Sequence, residues 1–295
     1  MDCQMSQYKH IPPDEFTELH DDPLARYYRM PGLHVRLPSN GAFMPPGSVE
    51  FTMNHDVPVY PMRAADELLL KSPDALMSGF AIEELLKSCV PGVRMPRLLS
   101  SPDLDVLLLA IRAATYGTTM TVVPVCPKCE AENEVNINLA TIMATASSID
   151  PENPVRLSDD VVVYLRPYTM DSATRISIAS FEETRKVQAV EDAEDAERSA
   201  QLNQSMHRIV NLSMDVLASS ILRVSVREGE VGDPMSIRRF IDNVSKAWID
   251  KLQAKMDEIA GKGIDKHYAV TCAKCGHEWK PEVEFNPATF FASAS

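Results

Sequence analysis

The chain has few basic residues for its length: 29 Lys and Arg stand against 42 Asp and Glu, a net charge of −13. A general nucleic-acid binder draws much of its affinity from basic groups on phosphates, so this balance argues against one. Aromatic residues are 6% of the chain, with two Trp, and glycines number eleven in 295 residues. No run approaches the roughly 20 apolar residues of a membrane-spanning helix. The start, Met1-Asp2-Cys3-Gln4-Met5, has neither a basic nor an apolar region, so a signal peptide is not expected. Catalytic signatures are missing as well. Gly261-Lys262-Gly263 is too short for a phosphate loop and follows a helical pattern instead of opening one. His277-Glu278 lacks the second histidine of a zinc-protease helix, and there is no Gly-x-Ser-x-Gly turn. The expectation is a protein that is not an enzyme.

What the chain does have is an apolar fraction of 45%, enough for a packed core, and six cysteines. Four fall in two Cys-x-x-Cys pairs, Cys126-Pro127-Lys128-Cys129 and Cys272-Ala273-Lys274-Cys275. Each pair follows a β-prone run, Thr121–Val125 or His267–Thr271, and precedes another, Val135–Leu139 or Val283–Phe285. That is the pattern of two zinc knuckles. One knuckle cannot complete a tetrahedral site, whereas two give a closed four-cysteine structural site. Cys126, Cys129, Cys272 and Cys275 are therefore expected to share one zinc, with iron as an alternative occupant. Two unmetallated pairs, or two separate sites, are the plainer readings. His277 could replace one cysteine or complete a separate site, but is read first as a polar neighbour, and Gly276 as the residue that permits the turn after the last ligand. The remaining cysteines are Cys3 and Cys89, the latter read as core. This cysteine usage fits a reducing cytosol.

The pattern along the chain predicts an α+β fold of two similar strand-plus-helix halves, joined by the zinc-ribbon-like knuckle pair. Residues 1–47, with prolines at 12, 13, 23, 31, 38, 45 and 46, read as an extended N-terminal arm. It is either a loose tail or a segment laid on a neighbour through Tyr27, Tyr28 and Phe43. The first half, 48–145, is expected to hold strands Val49–Asn54 and Val57–Tyr60, then helices Arg63–Lys71, Gly79–Val90 and Leu104–Tyr116. Leu68, Leu69, Leu70 and Phe80 are read as core. Ser101 is read as the cap of the third helix, and Asp103 and Asp105 as acids at its positive end rather than a metal pair. Ile142–Pro154, small and polar with two prolines, reads as a linker or exposed loop, and residues 146–160 are taken as the linker between the halves. The second half, 161–295, begins with a strand at Val161–Leu165. Helices are expected over Asp171–Val190, Asp195–Val226 and Ser236–Ala260, with residues 191–197 as a charged turn or exposed face. Each half reads strands, proline, helices, knuckle, which suggests an internal duplication.

The run Leu68-Leu69-Leu70-Lys71-Ser72-Pro73-Asp74-Ala75-Leu76-Met77-Ser78-Gly79 is followed by Asp103-Leu104-Asp105-Val106-Leu107-Leu108-Leu109-Ala110-Ile111-Arg112-Ala113-Ala114-Thr115-Tyr116-Gly117 and then the first knuckle. This ordered set resembles the baseplate proteins of T-even-type contractile-tailed bacteriophages, a family that includes a baseplate hub subunit. The likeness covers about residues 48–140, is looser over 160–285, and leaves out 1–47. It implies a structural virion protein of the tail baseplate, assembled in the host cytoplasm and held by other phage baseplate and tail proteins, with contacts between copies as a further option. The family supplies no catalytic residues. A tail-assembly chaperone absent from the finished particle, or a zinc-ribbon adaptor for nucleic acid, are the alternatives.

Overall fold

The computed structural model describes residues 24–190, 195–283 and 290–291. Expectations for residues 1–23, 191–194, 284–289 and 292–295, the end of the run Val283–Phe285 among them, lie outside these. The described chain is mixed α and β, with two hydrophobic cores.

The first core is built around α4 (Ser101–Tyr116), which is buried without a break from Val106 to Ala113. Ser100, one residue earlier than the sequence suggested, caps it by accepting from the Asp103 N–H, and Pro102 occupies the first turn. The strand pair β1 (Leu33–Val35) and β2 (Val57–Val59) lies against α4, and α1 (Ala64–Leu70) and α2 (Pro73–Met77) pack on α3 (Phe80–Cys89) in the same core. On α3, Ile82, Leu85, Leu86 and Cys89 face inward. Phe80 and Leu68 do not. Three successive leucines cannot share one face at 100° per residue, so Leu70 is buried and Leu68 points out.

The described part of the expected arm is folded onto its own chain. β1 pairs antiparallel with β2, Leu33 opposite Val59 and Val35 opposite Val57. Arg29 donates to the carbonyls of Pro61 and Ser88 and stacks on the Tyr60 ring. Leu37 is buried, and the half-buried Phe43 packs against this chain's own second core. Tyr27 and Tyr28 stay exposed. Residues 49–54 are not a strand. Thr52 N–H donates to Asp56 O at 2.9 Å and His55 takes φ 56°, which makes a tight turn that leaves Met53 fully exposed. The partner of β2 therefore comes from upstream.

After α4 come β3 (Thr119–Val122), β4 (Val135–Asn138) and α5 (Leu139–Met143). The second core covers one face of a four-stranded antiparallel sheet of β5 (Pro154–Arg156), β6 (Val162–Leu165), β7 (Ile221–Val226) and β8 (Gly229–Val231), in that order. Helix α6 (Met170–Gln188) and α7 (Asp195–Ser219) pack together as a hairpin. Two expectations fail here. The expected helix over 195–226 stops at Ser219, because Ile221, Val224 and Val226 are β-branched and suit a strand. The expected helix over 236–260 is two, α8 (Pro234–Asn243) and α9 (Lys246–Gly261), broken at Val244-Ser245. The break brings Ile237 and Ile241 to the same core as Leu252, Met256 and Ile259. The four-stranded sheet has no counterpart among the described residues of the first core, so the repeated order of elements is not matched by a repeated topology.

The two cores are tied at several points. Ser101 N–H donates to Tyr168 O at 2.8 Å and Met170 N–H to Leu99 O at 2.9 Å. Asp103 is fully buried beneath this junction. Its carboxylate accepts from the Ser39 N–H (2.8 Å), the Ser39 hydroxyl and the Ser100 hydroxyl (2.6 Å). Burial pushes its pKa up, and the serine hydrogen bonds only partly oppose that. Asp103→Ala would strand three buried donors and is expected to cost about 3 kcal/mol, whereas Ser39→Ala should cost about 1 kcal/mol. Urea unfolding, read as a shift in midpoint at unchanged slope, checks both.

Candidate metal centre

The two knuckles are built alike. In the first, Cys126 N–H donates to Ala131 O at 2.9 Å and Glu130 N–H to Cys126 O at 2.9 Å. In the second, Cys272 N–H donates to His277 O at 2.8 Å and Gly276 N–H to Cys272 O at 2.9 Å. The spacings are the same, five residues and four. Both knuckles also need a left-handed residue one place after the second cysteine: Glu130 has φ 56° and Gly276 φ 69°. The first knuckle sits between β3 and β4, which pair from Thr119 opposite Asn138 to Val122 opposite Val135, with a further bridge at Val125 and Glu132. The second sits between β9 (Val270–Thr271) and β10 (Glu278–Trp279). That ladder runs on through Tyr268 N–H to Pro281 O at 3.1 Å and Val283 N–H to Lys266 O at 2.8 Å.

The fold sets the knuckles face to face. All four sulfurs lie within 4.8 Å of one another. Cys126 Sγ is 3.8 Å from Cys275 Sγ, and Cys129 Sγ is 3.6 Å from Cys272 Sγ. All four cysteines picked out by spacing are thus brought together and could hold a metal ion. Cys126 and Cys272 are buried, Cys129 is partly so, and Cys275 is at the surface. His277 is not part of the cluster: its ring stacks on Trp279, 6.1 Å between centroids. Asp103 and Asp105 are likewise apart from each other's partners, since Asp105 pairs with Lys266 at 2.7 Å. Cys89 is a core thiol, pushed up to about 11 by burial and by Asp66.

The thiols of the cluster differ in acidity. Burial works against the Cys272 thiolate, but the N–H donors of Cys275 and Lys274, together with the Cys129 and Cys275 thiols, outweigh it and draw the pKa down to about 6. At Cys129 the Ala131 N–H favours the thiolate, but the neighbouring Cys275, Cys272 and Cys126 thiols, with burial, hold the proton up to about 12. Four close thiols cannot all ionise without a cation among them, while one of them is prepared to lose its proton first.

One residue of the centre was not legible from the sequence. Asn133 is buried between the knuckles. Its Oδ1 accepts from the Ala273 N–H of the second at 2.9 Å, and its Nδ2 donates to Ala131 O of the first at 2.8 Å. Its partner lies 140 residues away, so no local pattern marks it.

A family model described as T4 bacteriophage base plate protein matches residues 36–292. The match takes in residues 36–47, which the resemblance had left out. Comparison with curated proteins and with solved structures returns no match.

Gly276 has open space around it, so a methyl group there meets no neighbour and the cost is purely one of backbone conformation. Gly276→Ala should therefore destabilise by about 1 kcal/mol. Asn133→Ala removes hydrogen bonds from both knuckles and should cost about 1–3 kcal/mol. Thermal unfolding of the two variants beside the parent chain checks these values.

Proposed function

The chain belongs to the T4 bacteriophage base plate protein family, and from that premise we propose that it is a non-enzymatic structural part of a contractile tail baseplate, at the hub or its periphery. A single zinc ion held by Cys126, Cys129, Cys272 and Cys275 fastens it. The family match supports the baseplate role, and the sulfur geometry supports the ion. A tetrahedral site with Zn–S of about 2.3 Å has edges of about 3.8 Å. The two short sulfur separations, 3.6 and 3.8 Å, sit close to that value before any ion is added. Four thiolates leave no open coordination position, so the ion is structural.

The charge around the centre fits this assignment. A zinc with four thiolates carries a net charge of −2. Each knuckle places an exposed lysine, Lys128 or Lys274, immediately before its second cysteine. The backbone donors to Cys272 and Cys129 lower the cost of the thiolates further.

The consequence for the fold is large. Everything between the knuckles, including the whole second core, is enclosed in a loop closed by the ion. Binding energy at such a site is folding energy, on the order of 10–16 kcal/mol for structural zinc. A domain's total stability is about 5–15 kcal/mol. An assembly that must hold while its neighbours move gains from such a closure. Exposed Tyr27 and Tyr28 are the described part of the N-terminal segment offered to neighbouring baseplate proteins.

Two experiments test the parts separately. Removal of metal with a strong chelator, or Cys272→Ser, should bring unfolding many degrees lower. An unchanged transition would remove the ion from the account. Mass spectrometry of purified particles should find the chain in tails. Its presence only in assembling cells would make it a chaperone instead.

A further inference from the structure

The base of the α6–α7 hairpin is held in the cores, by Met170 in the first and by Leu217 and Ala218 in the second, where α7 also packs on α8; its outer half lies away from them. Of the 19 residues of α6, only Met170, Ser172 and Glu183 are buried, and the first two lie at its base. There it meets α2 and the turn at Pro96–Leu98. Beyond that base, among the described residues, the main cover of α6 is α7. Along the outer half a groove of about 470 Å³ runs between the two helices. One wall is Ser180, Thr184 and Val187 of α6, and the other is Leu202, Met206 and Val210 of α7. These positions repeat at about four residues, so each wall is one helix face. Leu202, Met206 and Val210 are 46, 58 and 52% exposed. Between Gln201 and Asn211, Arg208 is the single Lys, Arg, Asp or Glu. Methionine with few charges is the composition of a protein contact surface.

Glu183 adds an independent observation. It lines the groove and is 6% exposed. Its Oε1 pairs with Lys186 at 2.7 Å and Arg208 at 3.2 Å, and the Ser205 hydroxyl also favours its charge, while its buried Oε2 makes no hydrogen bond of ordinary geometry. A buried carboxylate oxygen left unpaired is costly, and a donor brought in by an occupant would relieve that cost.

The size of the groove indicates what occupies it. Its walls span eight residues, about 12 Å of helix, and two helices side by side are about 20 Å across. A second copy meeting this face would bury far less than the roughly 800 Å² per partner of a stable complex. One helix of two to three turns fits the length, and such a short contact suffices where other contacts in an assembly raise the effective concentration. We propose that the α6–α7 groove docks one amphipathic helix of another baseplate protein. Its apolar side chains at i, i+4 and i+7 seat among Val187, Leu202, Met206 and Val210, and a lysine, arginine or amide donor reaches Glu183. This inference rests on the baseplate role.

The test places a photoreactive benzoylphenylalanine at position 210 of the full chain, expressed in infected cells during tail assembly. Cross-linked peptides are then identified by mass spectrometry. The expected product is one helical peptide of another baseplate protein. It should be absent when the probe sits at exposed Lys251 on α9, and about tenfold weaker when Met206→Glu buries a charge in the groove. Metal content and thermal unfolding of the Met206→Glu chain should match the parent, which separates lost docking from misfolding. A cross-link to a second copy of this chain, to a protein outside the tail, or to nothing, overturns the proposal. Detection of the chain in purified particles is scored independently, so failure of the baseplate role is not confused with failure of the groove.

Discussion

The approach of four sulfurs from two distant turns is the constraint on which the rest of the structure depends. It brings Cys126 and Cys275 to contact distance and makes the second core an insertion between the two knuckles. Apart from Met170, the chain leaves the first core after α5 and returns to it after α9, and the two crossings run side by side. Ser147 N–H donates to Gly263 O at 3.1 Å, and Asp265 N–H to the Thr145 hydroxyl at 2.8 Å. After the second knuckle, Val283, Phe290 and Phe291 are again in the first core. Arg112, buried on α4, donates to the Phe290 carbonyl and lies over its ring. Phe290 is thus bound to the central helix, and the second knuckle is held where it can meet the first.

The matched hydrogen bonding of the knuckles follows from elementary geometry. To aim two thiolates and several N–H donors at one point, each turn must reverse within six residues, and that forces a left-handed residue after the second cysteine. Glycine provides it at Gly276, while Glu130 adopts the same conformation despite its side chain. Asn133 then fastens the turns to each other without contributing a ligand. A support of this kind fixes the spacing of the sulfurs before any ion arrives.

How much of this could be read from residues alone depended on whether the information was local. The cysteine pairs were legible because spacing, flanking β-prone runs and turn chemistry all lie within twenty residues. So was α4, whose cap, proline and terminal glycine adjoin its apolar run. Residues 24–47 read as part of an extended arm because prolines suppress periodicity there, yet Leu33–Val35 needs only three residues to join a strand, and Ser39 only one carboxylate. The strand at Ile221–Val226 was absorbed into a helix because no breaker separates it from α7. Leu202 and Met206 fit a core pattern, and only the fold shows that no core lies over them. Asn133 and Glu183 matter through partners on other turns or helices, which no local pattern can reveal.

X-ray absorption at the zinc edge on the purified full-length chain tests the central claim most directly. The account predicts one zinc per chain with a first shell of four sulfurs at about 2.3 Å and no oxygen or nitrogen neighbour. A shell with light-atom ligands, or a chain that carries no metal and keeps its stability, would contradict it. The fold would then be held by the two cores and by Asn133 without an ion.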